Sequence, residues 1–159
     1  MPVPDLTIDT NVLMHACNPN EDRFGDAVLF LTALLAAAAT KLAIDDGFNL
    51  DPAINKSLIG AEYLQKLVPG SLASSVVAAL ALQQRIAIHS SSLSVQHNKK
   101  LNQMVSNRRD RTFIKVCTNS VGKSLVSHDF LDFPKAKRKD LSKHFGIGMF
   151  EACTAKPLL

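Results

Sequence analysis

Leu6-Thr7-Ile8-Asp9-Thr10-Asn11 decides how this chain is read: a short apolar and β-branched run that stops on an acid. The same step recurs downstream. Lys41-Leu42-Ala43-Ile44 runs into the turn signal Asp45-Asp46-Gly47, and Ser124-Leu125-Val126 runs into Ser127-His128-Asp129. Ile86-Ala87-Ile88 and a stretch from Gly146 to Cys153 supply two further strands. Between them lie helical segments. Asp26 to Ala39 is so rich in Leu and Ala that it predicts a helix buried on several sides. Asp51-Pro52 places an acid cap before a first-turn proline and predicts a helix to about Leu67, ended by Pro69-Gly70. Ser71 to Gln84, Val95 to Met104 and a short segment opened by Asp110 and running to Cys117 are the remaining helices. Strands alternating with helices mean βαβ units. The expected fold is a single α/β domain over residues 1–159, with a mostly parallel central sheet and helices on both faces.

Composition agrees with a packed domain. Of the 159 residues 47% are hydrophobic and 20% charged, which excludes disorder and low complexity. The longest uncharged stretches, Ala27 to Thr40 and Leu67 to Gln84, are too short or too interrupted by Pro, Gly, Ser and Gln to cross a bilayer, so no membrane partner is expected. Met1-Pro2-Val3-Pro4-Asp5 lacks a basic region ahead of an apolar one, so no secretory signal is expected. Cys17, Cys117 and Cys153 are odd in number and far apart, which fits a reducing, cytoplasmic setting rather than a disulfide framework. Cys117 falls on the apolar side of its helix and reads as core.

Charge is unevenly distributed. Residues 1–80 carry a net −5 and residues 81–159 a net +9, giving +4 overall. The basic half holds Arg108-Arg109-Asp110-Arg111 and Lys135-Ala136-Lys137-Arg138-Lys139. Such clusters attract polyanions through counterion release; a solvated loop at 135–139 is the alternative. With eight Phe, one Tyr and no Trp, base stacking on an aromatic platform is not expected to dominate.

Against this basic background the carboxylates stand out. Asp9 and Asp129 follow strands, where open parallel sheets bind ligands. Asp110 sits at a helix start, and a simple cap is the alternative reading. Glu62 lies one and two turns from Leu58 and Ile54, on an apolar ridge where a lone carboxylate is costly, unless it pairs with Lys66. Four converging acids repel, and an all-oxygen site for Mg²⁺ or Mn²⁺ removes that penalty. An acidic pocket in a basic surface suits phosphodiester cleavage: cations hold phosphates while a metal activates water.

Four segments carry a family resemblance. Thr7-Ile8-Asp9-Thr10-Asn11-Val12-Leu13 resembles the opening of PIN domains, and Ile59-Gly60-Ala61-Glu62-Tyr63-Leu64 is similar to the helix carrying that family's second acid. Asp110-Arg111-Thr112-Phe113-Ile114-Lys115-Val116-Cys117 resembles the third acid and its helix. Leu125-Val126-Ser127-His128-Asp129-Phe130-Leu131-Asp132-Phe133 resembles the strand and loop of the fourth. The ordered set covers nearly the whole chain. It implies a Mg²⁺- or Mn²⁺-dependent endoribonuclease that hydrolyses RNA with metal-activated water, often the toxin of a bacterial pair, with an antitoxin protein and a second copy of the chain as partners.

Carried over residue by residue, the catalytic and metal-binding acids are Asp9, Glu62, Asp110 and Asp129. Asn11, Ser127 and Asp132 would support them. From the charge clusters that bracket Asp110 and follow Asp129, Arg108, Arg109, Arg111, Lys137, Arg138 and Lys139 are expected to hold substrate. Two features depart from the pattern. Ser127-His128 replaces the usual residues before the last acid, and the long stretch after Asp45 leaves Asp46 as a rival to Glu62. A non-catalytic RNA-binding module and a DNA-directed nuclease are the alternatives.

Other motifs fail. Asp9-Thr10-Asn11-Val12 has Asn where haloacid-dehalogenase phosphatases need a second Asp. Gly122-Lys123-Ser124 lacks the earlier Gly of a phosphate loop, Cys117 standing in its place. The five histidines share no ligand spacing, and His128 reads as a surface residue beside the acids.

Overall fold

Five short strands make one all-parallel sheet in a computed structural model that describes residues 1–159. They are β1 (Asp5–Ile8), β2 (Lys41–Asp45), β3 (Ile86–His89), β4 (Ser124–Val126) and β5 (Gly148–Phe150), in the order β3-β2-β1-β4-β5. Eight helices accompany them: α1 (Thr10–His15), α2 (Phe24–Ala36), α3 (Leu58–Lys66), α4 (Leu72–Leu82), α5 (Val95–Met104), α6 (Arg108–Asn119), α7 (Lys135–Phe145) and α8 (Ala152–Ala155). The expected α/β architecture is therefore present. The central strands β1 and β4 are buried along their whole length, as parallel strands covered on both faces must be.

The core is one cluster of 33 buried apolar residues. Helix α6 packs across β1, β2 and β4 and buries Phe113, Ile114, Val116 and Cys117, each apolar side chain worth about 1.5–3 kcal/mol when taken from water. Cys117 is core, as expected; burial pushes its thiol up to about 12. On α2 the apolar run is less enclosed than expected, for Leu29 and Leu35 stay exposed. Arg85 is buried without a carboxylate partner. Its guanidinium donates to the carbonyls of Leu34, Leu35 and Thr40, satisfying the open C-terminal end of α2.

Among the boundaries that differ from the sequence expectation, three have an identifiable local cause. The helix expected from Asp51 begins instead at Leu58. Asp51 Oδ1 accepts from Ala53 N–H in an isolated turn, and Asn55 Nδ2 bridges to the Ser57 carbonyl, so the backbone breaks before Ser57 caps α3. The basic run 135–139 is helix, not loop. Only Leu141 and Phe145 of α7 are buried, a stripe too thin to give a strong periodic signal, and the helix ends on Gly146 at φ +68°. That left-handed cap, followed by Glu151 capping α8, shortens the last strand to three residues.

Two buried contacts fix α3 over the sheet edge. Asp45, at the end of β2, accepts from Ser57 Oγ at 2.5 Å and from the N–H groups of Leu58 at 2.7 Å and Ile59 at 3.0 Å. A carboxylate at a helix N-terminus satisfies donors that the helix leaves open. Tyr63, fully buried, donates its hydroxyl to the Ile8 carbonyl, the last of β1, while its ring packs at a tilt on Phe113. Tyr63→Phe should keep the ring and lose the latch, costing about 1–2 kcal/mol in urea denaturation. An unchanged midpoint would mean that water or a neighbour replaces the hydroxyl.

Candidate metal centre

Strand order reverses between β1 and β4, and crevices for ligands open at such switch points beyond the strand ends. Asp9 follows β1, and Ser127, His128 and Asp129 follow β4, so neighbouring strands deliver two acids to one place. A pocket of about 180 Å³ there is lined by Asp9, Asn11, Glu62, Lys66, Asp110 and Asp129, among others. All four expected acids face it. Asp46 does not: it is exposed in the turn after β2, and its neighbour Asp45 is spent on α3.

Each acid is held by a distinct device. Asp9 Oδ2 accepts from Ser127 Oγ at 2.8 Å and from Asn11 Nδ2 at 3.0 Å, so both donors converge on one oxygen. Ser127 Oγ in turn accepts from Asp129 N–H at 3.1 Å, and Asn11 Oδ1 from His128 N–H at 3.0 Å. One network thus locks the ends of β1 and β4 together. Asp129 Oδ1 accepts from Asp132 N–H at 2.8 Å, which curls the loop so that Asp110, Asp129 and Asp132 each bring an oxygen within 4.8 Å of the others. Asp132 therefore stands beside the acids rather than behind them. Glu62 is half-buried, 3.8 Å from Lys66. The apolar ridge expected beneath it is absent: Leu58 is exposed, and Ile54 is exposed and lies outside the helix.

Asp110 is not the cap of α6. Asn107 takes that position, its Oδ1 accepting from Arg109 N–H at 2.9 Å. Asp110 sits in the first turn, and its Oδ2 is buried without any hydrogen-bond partner. An orphaned carboxylate oxygen aimed into an acidic pocket is costly in a cation's absence and is what a hard divalent ion requires. All-oxygen donors at this spacing fit Mg²⁺ or Mn²⁺ and offer no soft ligand. The electrostatics agree. Burial raises Asp110 to about 7, with Asp9, Asp129, Asp132 and Glu62 adding repulsion. Burial also raises Asp9 to about 6, against the hydrogen bonds from Ser127 and Asn11 and with Glu62 and Asp129 repelling it.

The basic residues divide. Arg109 lines the acidic pocket, and Arg108 and Arg109 line a groove beside it. Arg111, expected to hold substrate, instead donates to Asn102 Oδ1 on α5 at 2.5 Å. Arg138, also expected there, donates from Nε to the Phe133 carbonyl at 2.6 Å and from Nη2 to the Asp129 carbonyl at 3.2 Å. With Arg23, it flanks the Phe130 ring, so it braces the loop that carries Asp129. Lys137 and Lys139 lie on α7 and do not line the acidic pocket.

His128 is buried, contrary to the sequence expectation. Its Nε2 accepts from Ala152 N–H at 3.2 Å, and its Nδ1 lies 2.9 Å from His15 Nδ1 with the rings stacked. Burial, with His15 close by, lowers it to about 4. The ring is therefore a neutral wedge that holds the end of β4 between α1 and α8. The pairing of Glu62 with Lys66, one turn on, is as the i, i+4 spacing suggested, whereas Asn107 and the Asp45 brace were missed.

Comparison with protein-family models, with curated proteins and with solved structures gives no match to this chain.

The raised acids make a stability prediction. Their folded values, about 7 and about 6, lie above the unfolded Asp value of about 3.9, so the native state binds protons more tightly. Their contribution is fullest below about pH 4 and is lost as pH rises through about 7. In EDTA, Asp110→Asn should gain in melting temperature relative to the unsubstituted protein between about pH 5 and about pH 8. A deficit that widens toward high pH would contradict a crowded, like-charged pocket.

Proposed function

We propose that this chain is a PIN-like, Mg²⁺- or Mn²⁺-dependent endoribonuclease. What supports the reading is the convergence of Asp9, Glu62, Asp110 and Asp129 over the sheet's switch point, with one oxygen of Asp110 buried and unpartnered. The four acids, with Asp132 at the rim, would hold the cation. When bound, it supplies an acidified water and offsets charge on the phosphoryl group. Asn11 and Ser127 orient Asp9 by binding one of its two oxygens. Arg138, Phe130 and the Asp132 amide set the position of Asp129. Arg108, Arg109 and Lys66 border the acids with positive charge, where the phosphates flanking the scissile bond would lie. Water attacks phosphorus in line and gives up a proton to solvent, the bond to the 3′ oxygen breaks, and that oxygen takes up a proton from solvent. The products carry a 5′-phosphate and a 3′-hydroxyl.

The test is cleavage of unstructured single-stranded RNA with Mn²⁺ or with EDTA, the new ends identified by mass spectrometry. Asp9→Asn and Asp110→Asn should abolish Mn²⁺-dependent cleavage, while Asn11→Ala and Ser127→Ala should lower it about 10- to 100-fold. Cleavage that survives EDTA, or survives Asp110→Asn, contradicts the proposal. Oligonucleotide binding without any cleavage would favour the non-catalytic reading.

A further inference from the structure

Beside the acidic pocket, between α3 and α6, runs a groove of about 610 Å³. Glu62, Asn107 and Arg109 line both, so the groove opens directly into the site. Its floor is made by Ile59 and Phe113, both fully packed below. Its walls are mixed. Leu58, at the first position of α3, is 62% exposed, and the exposed Gln65 stands two turns on along the same helix. Across from them the first two turns of α6 present Arg108 and Thr112, with Asn107 at the cap. Asn107, exposed, uses its Oδ1 on its own helix, and its amide nitrogen makes no hydrogen bond within the protein.

We propose that this groove is a base-recognition subsite: it takes one unstacked base of single-stranded RNA next to the nucleotide being cleaved. The inference rests on the nuclease reading above and adds to it a place where sequence is read. The chemistry of the walls selects the occupant. Two guanidiniums at the mouth match a polyanionic backbone, and their planes offer stacking surfaces in a chain poor in exposed aromatics. Leu58 supplies an apolar face for the base, and the Gln65 and Asn107 amides and the Thr112 hydroxyl supply donors and acceptors for its edge. Most phosphate contacts position without specifying; amides in an apolar slot discriminate.

The experiment measures fluorescence anisotropy of labelled hexanucleotides of A, C, G and U in EDTA, so that binding is read apart from cleavage. The unsubstituted protein should prefer one homopolymer. Leu58→Ala should weaken that ligand roughly fivefold or more, and Gln65→Ala should change the ratio of preferred to least preferred Kd by a similar factor. Melting temperatures and the stabilisation by Mn²⁺ should stay as in the unsubstituted protein, showing that fold and acidic pocket are intact. Equal affinity for all four homopolymers, or a preference indifferent to both substitutions, overturns the subsite. Binding of a poly-Glu peptide in place of the oligonucleotides, abolished by Leu58→Ala, overturns it in favour of a protein partner. The two readings separate cleanly. Cleavage without groove-dependent preference removes the subsite alone, and groove-dependent preference without Mn²⁺-dependent cleavage removes the nuclease and keeps an RNA-binding groove.

Discussion

Repulsion among carboxylates gathered in a half-buried pocket is the constraint around which this molecule is arranged. Asp9, Glu62, Asp110 and Asp129 come from four separate elements, and without a counter-ion nothing in their mutual electrostatics favours their meeting. The surrounding structure imposes it. Ser127 and Asn11 clamp Asp9, the Tyr63 hydroxyl latches α3 to the end of β1, Asp45 seats the start of α3, and Arg138 holds the Asp129 loop by its carbonyls. Each brace is a short, polar contact at an element end. Together they convert apolar packing of the sheet into a fixed arrangement of oxygens, at the expense of local stability.

The same contacts explain how much was legible in the sequence. Strand ends such as Ile8-Asp9 and Val126-Ser127 announce themselves locally, because an apolar run stops on polar residues, and a parallel sheet then puts them on one edge. Val95–Met104 matched its expected helix for the same reason, a capping Ser94 followed by an uninterrupted segment. What escaped was set at long range. The start of α3 depends on Asp45, 12 residues before Ser57, and no local signal distinguishes it from the equally good cap at Asp51. Arg111 and Arg138 carry the charge expected of phosphate contacts, yet Asn102 and two loop carbonyls claim them. His128 resembled a surface residue because its wedge needs His15 and Ala152, 113 and 24 residues away.

The uneven charge of the chain acquires a location in the fold. The acids that make the first half negative contribute Asp9 and Glu62 to the pocket, whereas the basic second half supplies α6, whose first turn sets Arg108 and Arg109 beside it. On the proposed reading, juxtaposed fields of opposite sign would draw a polyanion to the rim and a cation to the centre. No helix is long and apolar enough to cross a membrane.

The central claim is that one cation-binding centre uses all four acids, and Mn²⁺ anomalous scattering from crystals of the protein tests it most directly. The account predicts a strong anomalous peak with oxygens of Asp9, Asp110 and Asp129 at about 2.0–2.3 Å and Glu62 bound directly or through water. A peak confined to Asp129 and Asp132 at the rim, with the orphaned oxygen of Asp110 still unpartnered, would contradict it.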